Sequence, residues 1–177
     1  DHRDLHSFPT RRSSDLYHSY VDSQKTNGKG QVERAGVAIA VREGSKATFT
    51  PVSNRLCQLQ MKQDNNMTIT VINAYAPTLP VSEESPEVRE QFYDQLESLV
   101  RKVKRKDYLI LAGDFNAKTG DVWRQYSRSI GKYGKGKCNS NGIELVEMCS
   151  RNDLVLTNTC FRHKMAHRTT WESPKCH

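Results

Sequence analysis

One apolar stripe at helical spacing, framed by two strand-like segments, constrains this chain more than any other feature. Val88, Phe92, Leu96, Leu99 and Val103 follow one another at intervals of 4, 4, 3 and 4, which lays them along a single helix face. Ser85 stands at the N-cap, Pro86 in the first turn, and Glu87 beside the positive end of the helix dipole. The run RKVKRK, Arg101 to Lys106, ends the helix with cations at its negative end. Before the helix, Leu56 to Met61 alternates as a half-buried strand does, Asp64-Asn65-Asn66 turns the chain, and Met67 to Ala74 makes a second strand. A turn this short predicts an antiparallel pair. After the helix, Tyr108 to Ala112 has few polar breaks and reads as a central strand.

The remaining segments fit the same pattern. Ala35 to Val41 is a short β-branched run, punctuated by Gly28, Gly30 and Gly44, and reads as a buried strand. A polar, Gly-rich loop spans Gly120 to Gly142, Ile143 to Cys149 is a second, shorter helix, Leu154 to Thr157 is a strand, and Thr169-Thr170-Trp171 begins a last one. Antiparallel pairs mixed with single helices predict a layered α/β fold with mixed sheets. The 177 residues suit one domain, since domains run to roughly 100–200 residues.

Charge narrows the partners without choosing one. The first sixteen residues, Asp1 to Leu16, carry three Arg and three Asp, so the whole net charge of +7 lies in residues 17–177. A positive excess favours anionic partners: nucleic acid, acidic lipid or phosphorylated small molecules. Residues 1–16 have no helical or strand period and no apolar core of a signal peptide; they read as a non-native or disordered tail outside the fold. No run approaches the ~18 apolar residues of a membrane span. Five cysteines, an odd number without a CxxC pair, fit reduced thiols better than a disulfide framework.

Two strand ends could carry chemistry. Gly113-Asp114-Phe115-Asn116 follows the apolar strand directly, and Asp114 and Asn116 are two residues apart, able to project to one side of an extended end. A carboxylate beside an amide could hold a water and a phosphate oxygen; an ordinary turn uses the same residues. Asn73-Ala74-Tyr75-Ala76-Pro77 also closes a strand, and Tyr75 there either donates to a phosphate or packs half-buried.

Taken in order, NAYAP, the amphipathic helix, AGDFNA, NSNGIELVEMC, LVLTNTCF and HRTTWESP resemble the endonuclease/exonuclease/phosphatase superfamily, and within it the apurinic-type endonuclease domain of non-LTR, LINE-type retrotransposons. The resemblance covers about residues 34–174. It implies a four-layer α/β sandwich, two mixed β-sheets flanked by helices, and a phosphodiesterase that nicks double-stranded DNA with Mg²⁺ or Mn²⁺. In that setting Asp114 orients or deprotonates the attacking water, Asn116 fixes the phosphate and the geometry of Asp114, and Tyr75 donates to the phosphate. Lys132, Lys135, Lys137 and Trp171 are the substrate contacts. The resemblance further implies DNA as partner, a reverse transcriptase domain in cis, a monomer, no membrane, and a nuclear or cytoplasmic location.

The family opens with a strand bearing Asn and a strand ending in a metal-binding Glu, and neither is found upstream of Arg34. It closes with an Asp-Tyr strand and a Ser-Asp-His motif, and residue 177 comes before both. The expectation is a partial domain over 17–177, truncated at both ends, inactive as a fragment, with no metal ligand assigned. The rival readings are a phosphatase or phospholipid phosphodiesterase of the same superfamily, and a non-catalytic nucleic-acid-binding or pseudogene-derived remnant.

Three further patterns read as coincidence. Gly131 to Cys138 has the spacing of a P-loop, but Cys138 stands where Ser or Thr would hold Mg²⁺ and no hydrophobic strand precedes it. It reads better as a cationic loop able to touch a DNA backbone. His163 and His167 are one helical turn apart, yet Lys164 replaces the Glu of a zinc protease. Cys138, Cys149 and Cys160 recur every eleven residues with nothing to bring them together.

Overall fold

The computed structural model describes residues 14–19, 36–42, 44–78 and 86–164. Its elements run β1 (Ser14–Ser19), β2 (Val37–Arg42), β3 (Ala47–Ser53), β4 (Leu56–Lys62), β5 (Thr68–Tyr75), α1 (Pro86–Lys102), β6 (Tyr108–Asp114) and α2 (Ser140–Arg151). The fold is mixed α/β. The chain divides into two compact units, one of residues 1–75 and 102–114, the other of residues 76–101 and 115–177.

The first unit holds the sheets. β3, β4, β5 and β6 form a four-stranded sheet in that order, antiparallel except for the parallel pair β5 and β6. The β4–β5 hairpin is antiparallel as the short turn predicts, and Asn66 takes a left-handed φ of 60° in that turn. A parallel pair needs a long crossover, and in sequence α1 supplies it between β5 and β6. Leu56, Cys57, Leu59, Ile72 and Ala74 are buried in this unit; burial alternates along β5, while β4 buries the neighbours Leu56 and Cys57 together.

Several elements differ from expectation. β3 has no counterpart among the expected strands, and Pro51 lies within it. Proline is tolerated here because β3 ends the strand order, and the register shifts between Pro51 and Ser53. The β6 segment, expected to be central, also stands at an end of the order, with Tyr108 57% and Ile110 51% exposed. Its apolar residues mark it for burial on both faces, but among the described residues only β5 pairs with it. β2 is not a fully buried run: among the described residues it pairs with β1 in a two-stranded sheet, and its residues alternate between covered and exposed. β1 begins at Ser14, so Ser14, Asp15 and Leu16 of the segment expected to be a tail have strand pairing.

The second unit is helical. In α1, Phe92, Leu96 and Leu99 of the expected stripe are buried together with Tyr93 and Val100, whereas Val88 is exposed and Val103 lies beyond the helix, which ends at Lys102. Ser85, the expected cap, lies outside the described residues. α2 starts at Ser140, three residues before the expected Ile143, because Asn139 caps it by accepting from Gly142 N. It buries Leu145, Val146, Met148 and Cys149. Leu154 to Thr157 is not a strand. Asp153 turns the chain at a φ of 55°, Leu156 makes one parallel bridge to Ile130, and a 3-10 turn follows over Thr157–Thr159. The one bridge is all the pairing this segment finds among the described residues, so its β propensity goes unused. Thr169-Thr170-Trp171 lies outside the described residues. Among the described residues no helix is long and apolar enough to cross a membrane.

Candidate functional site

In the first unit the parallel strands β5 and β6 end flush. Ala74 is in register with Gly113, and Tyr75 with Asp114. Adjacent strands lie about 4.8 Å apart, so the register alone makes the phenol-bearing and carboxylate-bearing residues neighbours at the C-terminal edge of the sheet. This closure requires glycine at 113. Its φ is +137°, and a Cβ there would run into the Ala74 carbonyl.

Tyr75 is anchored from below. Its backbone N–H donates to the Arg55 carbonyl at 2.9 Å, and the Arg55 guanidinium carbon lies 5.4 Å from the centre of its ring. Arg55 is buried, 9% exposed, so a cation is held against the ring and out of water. Sequence reasoning misses Arg55, because a lone Arg in a β-turn carries no signal until its neighbour across the sheet is known. Asn73, the first residue of NAYAP, is structural: its Nδ2 donates to the Ala38 carbonyl at 2.8 Å, tying β5 to β2. Asp114 is exposed.

In the second unit Asn116 sits in the left-handed region at a φ of 47°. Its Nδ2 donates to the Ala76 carbonyl at 2.8 Å, so the segment after β6 is pinned to the segment after β5. The Asn116 carbonyl accepts from Asn139 Nδ2 at 3.2 Å and from Asn141 Nδ2 at 3.4 Å. Asn139 Oδ1 in turn accepts from Gly142 N at 2.8 Å and Lys118 N at 3.0 Å. In the sequence NSNG is part of the family pattern, and neither Asn acquires a role from it. The signal available was Asn139 as the N-cap of a helix.

Lys132, Lys135 and Lys137 are carried by the loop before α2, with Lys132 Nζ 5.4 Å from the centre of the Tyr133 ring. The glycines of this loop answer to packing: a Cβ on Gly131 would collide with the Thr159 carbonyl, and one on Gly134 with that of Gly120. Gly131 N donates to Thr159 Oγ1 at 2.7 Å, which leaves the P-loop spacing a structural explanation. Trp171 and His167 lie outside the described residues, and His163 is exposed.

Among the described residues no three His, Cys, Asp or Glu side chains come together where they could hold a metal ion. A divalent cation takes several oxygen or nitrogen donors, and no such cluster of side chains forms around Asp114 among the described residues. The four described cysteines are free thiols. Burial pushes Cys57 and Cys149 up to about 11, away from thiolate chemistry. In the first unit the two strand ends offer an exposed carboxylate and a phenol braced on a buried cation. In the second unit Asn116 offers an amide on a left-handed backbone.

Comparison with known proteins agrees with the motif order. A family model described as endonuclease-reverse transcriptase matches residues 69–175. The chain is similar to craniofacial development protein 2 of Bos taurus, 33% identical over 156 residues, which is 83% of this chain and 24% of that protein. It is similar to craniofacial development protein 2 of Tragulus javanicus, 32% identical over 150 residues, 83% of this chain and 25% of that protein. The chain spans about a quarter of the length of the curated relatives it matches.

Proposed function

The chain belongs to the endonuclease-reverse transcriptase family, within the endonuclease/exonuclease/phosphatase superfamily, and from that premise we propose that it is part of a phosphodiesterase domain that nicks double-stranded DNA. The observation that carries this reading is the register of Tyr75 with Asp114 at the C-terminal edge of two parallel strands. Asp114, an exposed carboxylate, orients the attacking water and takes its proton. Tyr75 donates its phenolic hydrogen to a phosphate oxygen, and Asn116 holds the phosphate from the following segment. Lys132, Lys135, Lys137 and Trp171 serve the DNA backbone. The family match favours DNA over a small phosphorylated substrate, and the net charge of +7 is compatible with that polyanion.

The same reading takes the fold as a four-layer sandwich, with residues 17–177 a part of it, working as a monomer away from membranes, in nucleus or cytoplasm, beside a reverse transcriptase domain. Mg²⁺ or Mn²⁺ is the metal of the family. Among the described residues no group of three His, Cys, Asp or Glu side chains is assembled to hold it.

Single-turnover nicking of supercoiled plasmid by the intact protein tests the assignment. Asp114→Asn keeps shape and removes charge, and is expected to lower the rate by about 10²-fold or more with little change in melting temperature. Tyr75→Phe removes one hydrogen bond to a charged group, about 1.5–3 kcal/mol, and has the smaller effect. An Asp114→Asn protein that nicks at the wild-type rate would reduce the GDFN segment to a turn.

A further inference from the structure

Asn141 carries one clear cost to stability. It lies in the first turn of α2, fully buried at 0% exposure, and its Oδ1 has no hydrogen-bond partner among the described residues. A buried acceptor without a donor is costly. An apolar side chain of similar volume would avoid that penalty. What an apolar side chain could not do is donate. The two hydrogens of Asn141 Nδ2 are shared among the carbonyls of Pro77 at 2.9 Å, Phe115 at 3.3 Å and Asn116 at 3.4 Å. One amide thus grips the segment after β5 and the segment after β6 together. Its own backbone carbonyl is fixed by the Tyr93 hydroxyl at 3.1 Å, which ties the grip to α1.

Asn139 supplies the second hold. Its oxygen is committed to α2 and to Lys118 N, and its Nδ2 is left to donate to the Asn116 carbonyl. Asn116 takes a left-handed φ of 47°, which asparagine adopts more readily than most residues and which these hydrogen bonds favour further. That backbone geometry sets where the Asn116 side chain starts.

We propose that Asn139 and Asn141 are positioning residues for Asn116: their two side-chain amides, carried by the start of α2, hold its carbonyl and so fix its left-handed backbone at the phosphate. The proposal rests on the reading that Asn116 handles the phosphate. A misplacement of about 1 Å at a reacting centre can cost about 10²-fold in rate, so losing one of two holds predicts a loss of about tenfold.

Asn139→Asp is the first variant. Aspartate keeps the acceptor that caps α2, at a position where a carboxylate is favoured, and replaces the donor to Asn116 by an oxygen that repels its carbonyl. Single-turnover nicking by the intact protein is expected to fall about tenfold, with plasmid affinity and melting temperature unchanged, and to fall no further on an Asn116→Ala background. Asn141→Ser is expected to give the same kinetic pattern with a lowered melting temperature. In the ¹⁵N-labelled chain, the backbone shifts of Asn116 are expected to leave the left-handed range or broaden in each variant. Asn116 shifts that stay at their wild-type values in both variants overturn the positioning role, whatever the activity. So does a loss of nicking that persists undiminished when Asn116 is already alanine. If instead Asn116→Ala nicks at the wild-type rate, the phosphate role of Asn116 is what fails, and the shifts alone decide the positioning.

Discussion

Replacing Glu97 with glutamine should uncouple the two helices of the second unit in a way that depends on pH. Glu97 lies on α1 with its side chain 11% exposed. It accepts from Arg151 Nε at 3.3 Å and Nη2 at 3.0 Å, from Asn152 Nδ2 at 2.8 Å, and from Arg101 Nη2 at 2.8 Å. The hydrogen bonds from Arg151, ahead of those from Asn152 and the charge of Arg101, hold the Glu97 carboxyl at about 2 against an ordinary 4.5. At 1.36 kcal/mol per pKa unit that displacement is worth about 3 kcal/mol. The partners Arg101 and Arg151 are 66% and 48% exposed, and solvent screening reduces the figure to about 1.5–2 kcal/mol. For a protein of this size that corresponds to about 5 °C in melting temperature.

The sign follows from the direction of the shift. A carboxyl depressed in the folded state binds fewer protons there than in the unfolded chain, so its stabilisation is complete above about 4.5 and disappears as pH falls through about 2. The gap between wild type and Glu97→Gln, measured by thermal melts across this window, should therefore close. Less than half of it should remain at about pH 3. A gap that stays constant from neutral pH to about pH 3, or no gap at neutral pH, would refute the electrostatic account and leave Glu97 a packing residue.

Gly113→Ala should destabilise by more than about 1–3 kcal/mol, read as a drop in the urea midpoint, because its Cβ meets the Ala74 carbonyl and its φ of +137° is foreign to alanine. An unchanged midpoint would mean that the ends of β5 and β6 are not closed as described. Changing Lys132, Lys135 and Lys137 together to alanine should flatten the salt dependence of DNA binding, by about 0.9 in the log–log slope for each phosphate no longer neutralised. An unaltered slope would make the loop a solvated face.

The hairpin of β4 and β5 is legible in the sequence because its cause is local: alternation fixes the faces and a three-residue polar turn forces the pairing. The stripe on α1 is legible for the same reason. Glu97 shows where this stops. In the sequence it is one more polar position of the helix, yet it is buried, since the arginine and asparagine that satisfy it are more than fifty residues further along the chain. Pro51 argues against a strand that exists, because position in the strand order, which no window of sequence contains, decides whether a proline is tolerated. Leu154 to Thr157 has strand composition and finds only a single bridge.

Of the candidate site, the sequence by itself determined which residue types stand at the strand ends: an aspartate and an asparagine after one, a tyrosine before proline in the other. Their order along the chain was enough to suggest the family. Only the tertiary structure decided that Tyr75 and Asp114 are register partners, that Arg55 braces the tyrosine, and that Asn139 and Asn141 hold the carbonyl of Asn116. The physical reason is range. Periodicity and capping act over a few residues and are written in neighbours. A parallel register across a helical crossover, or an amide shared by two loops, is set by side chains some twenty to sixty residues apart, whose complementarity exists only once the chain has closed.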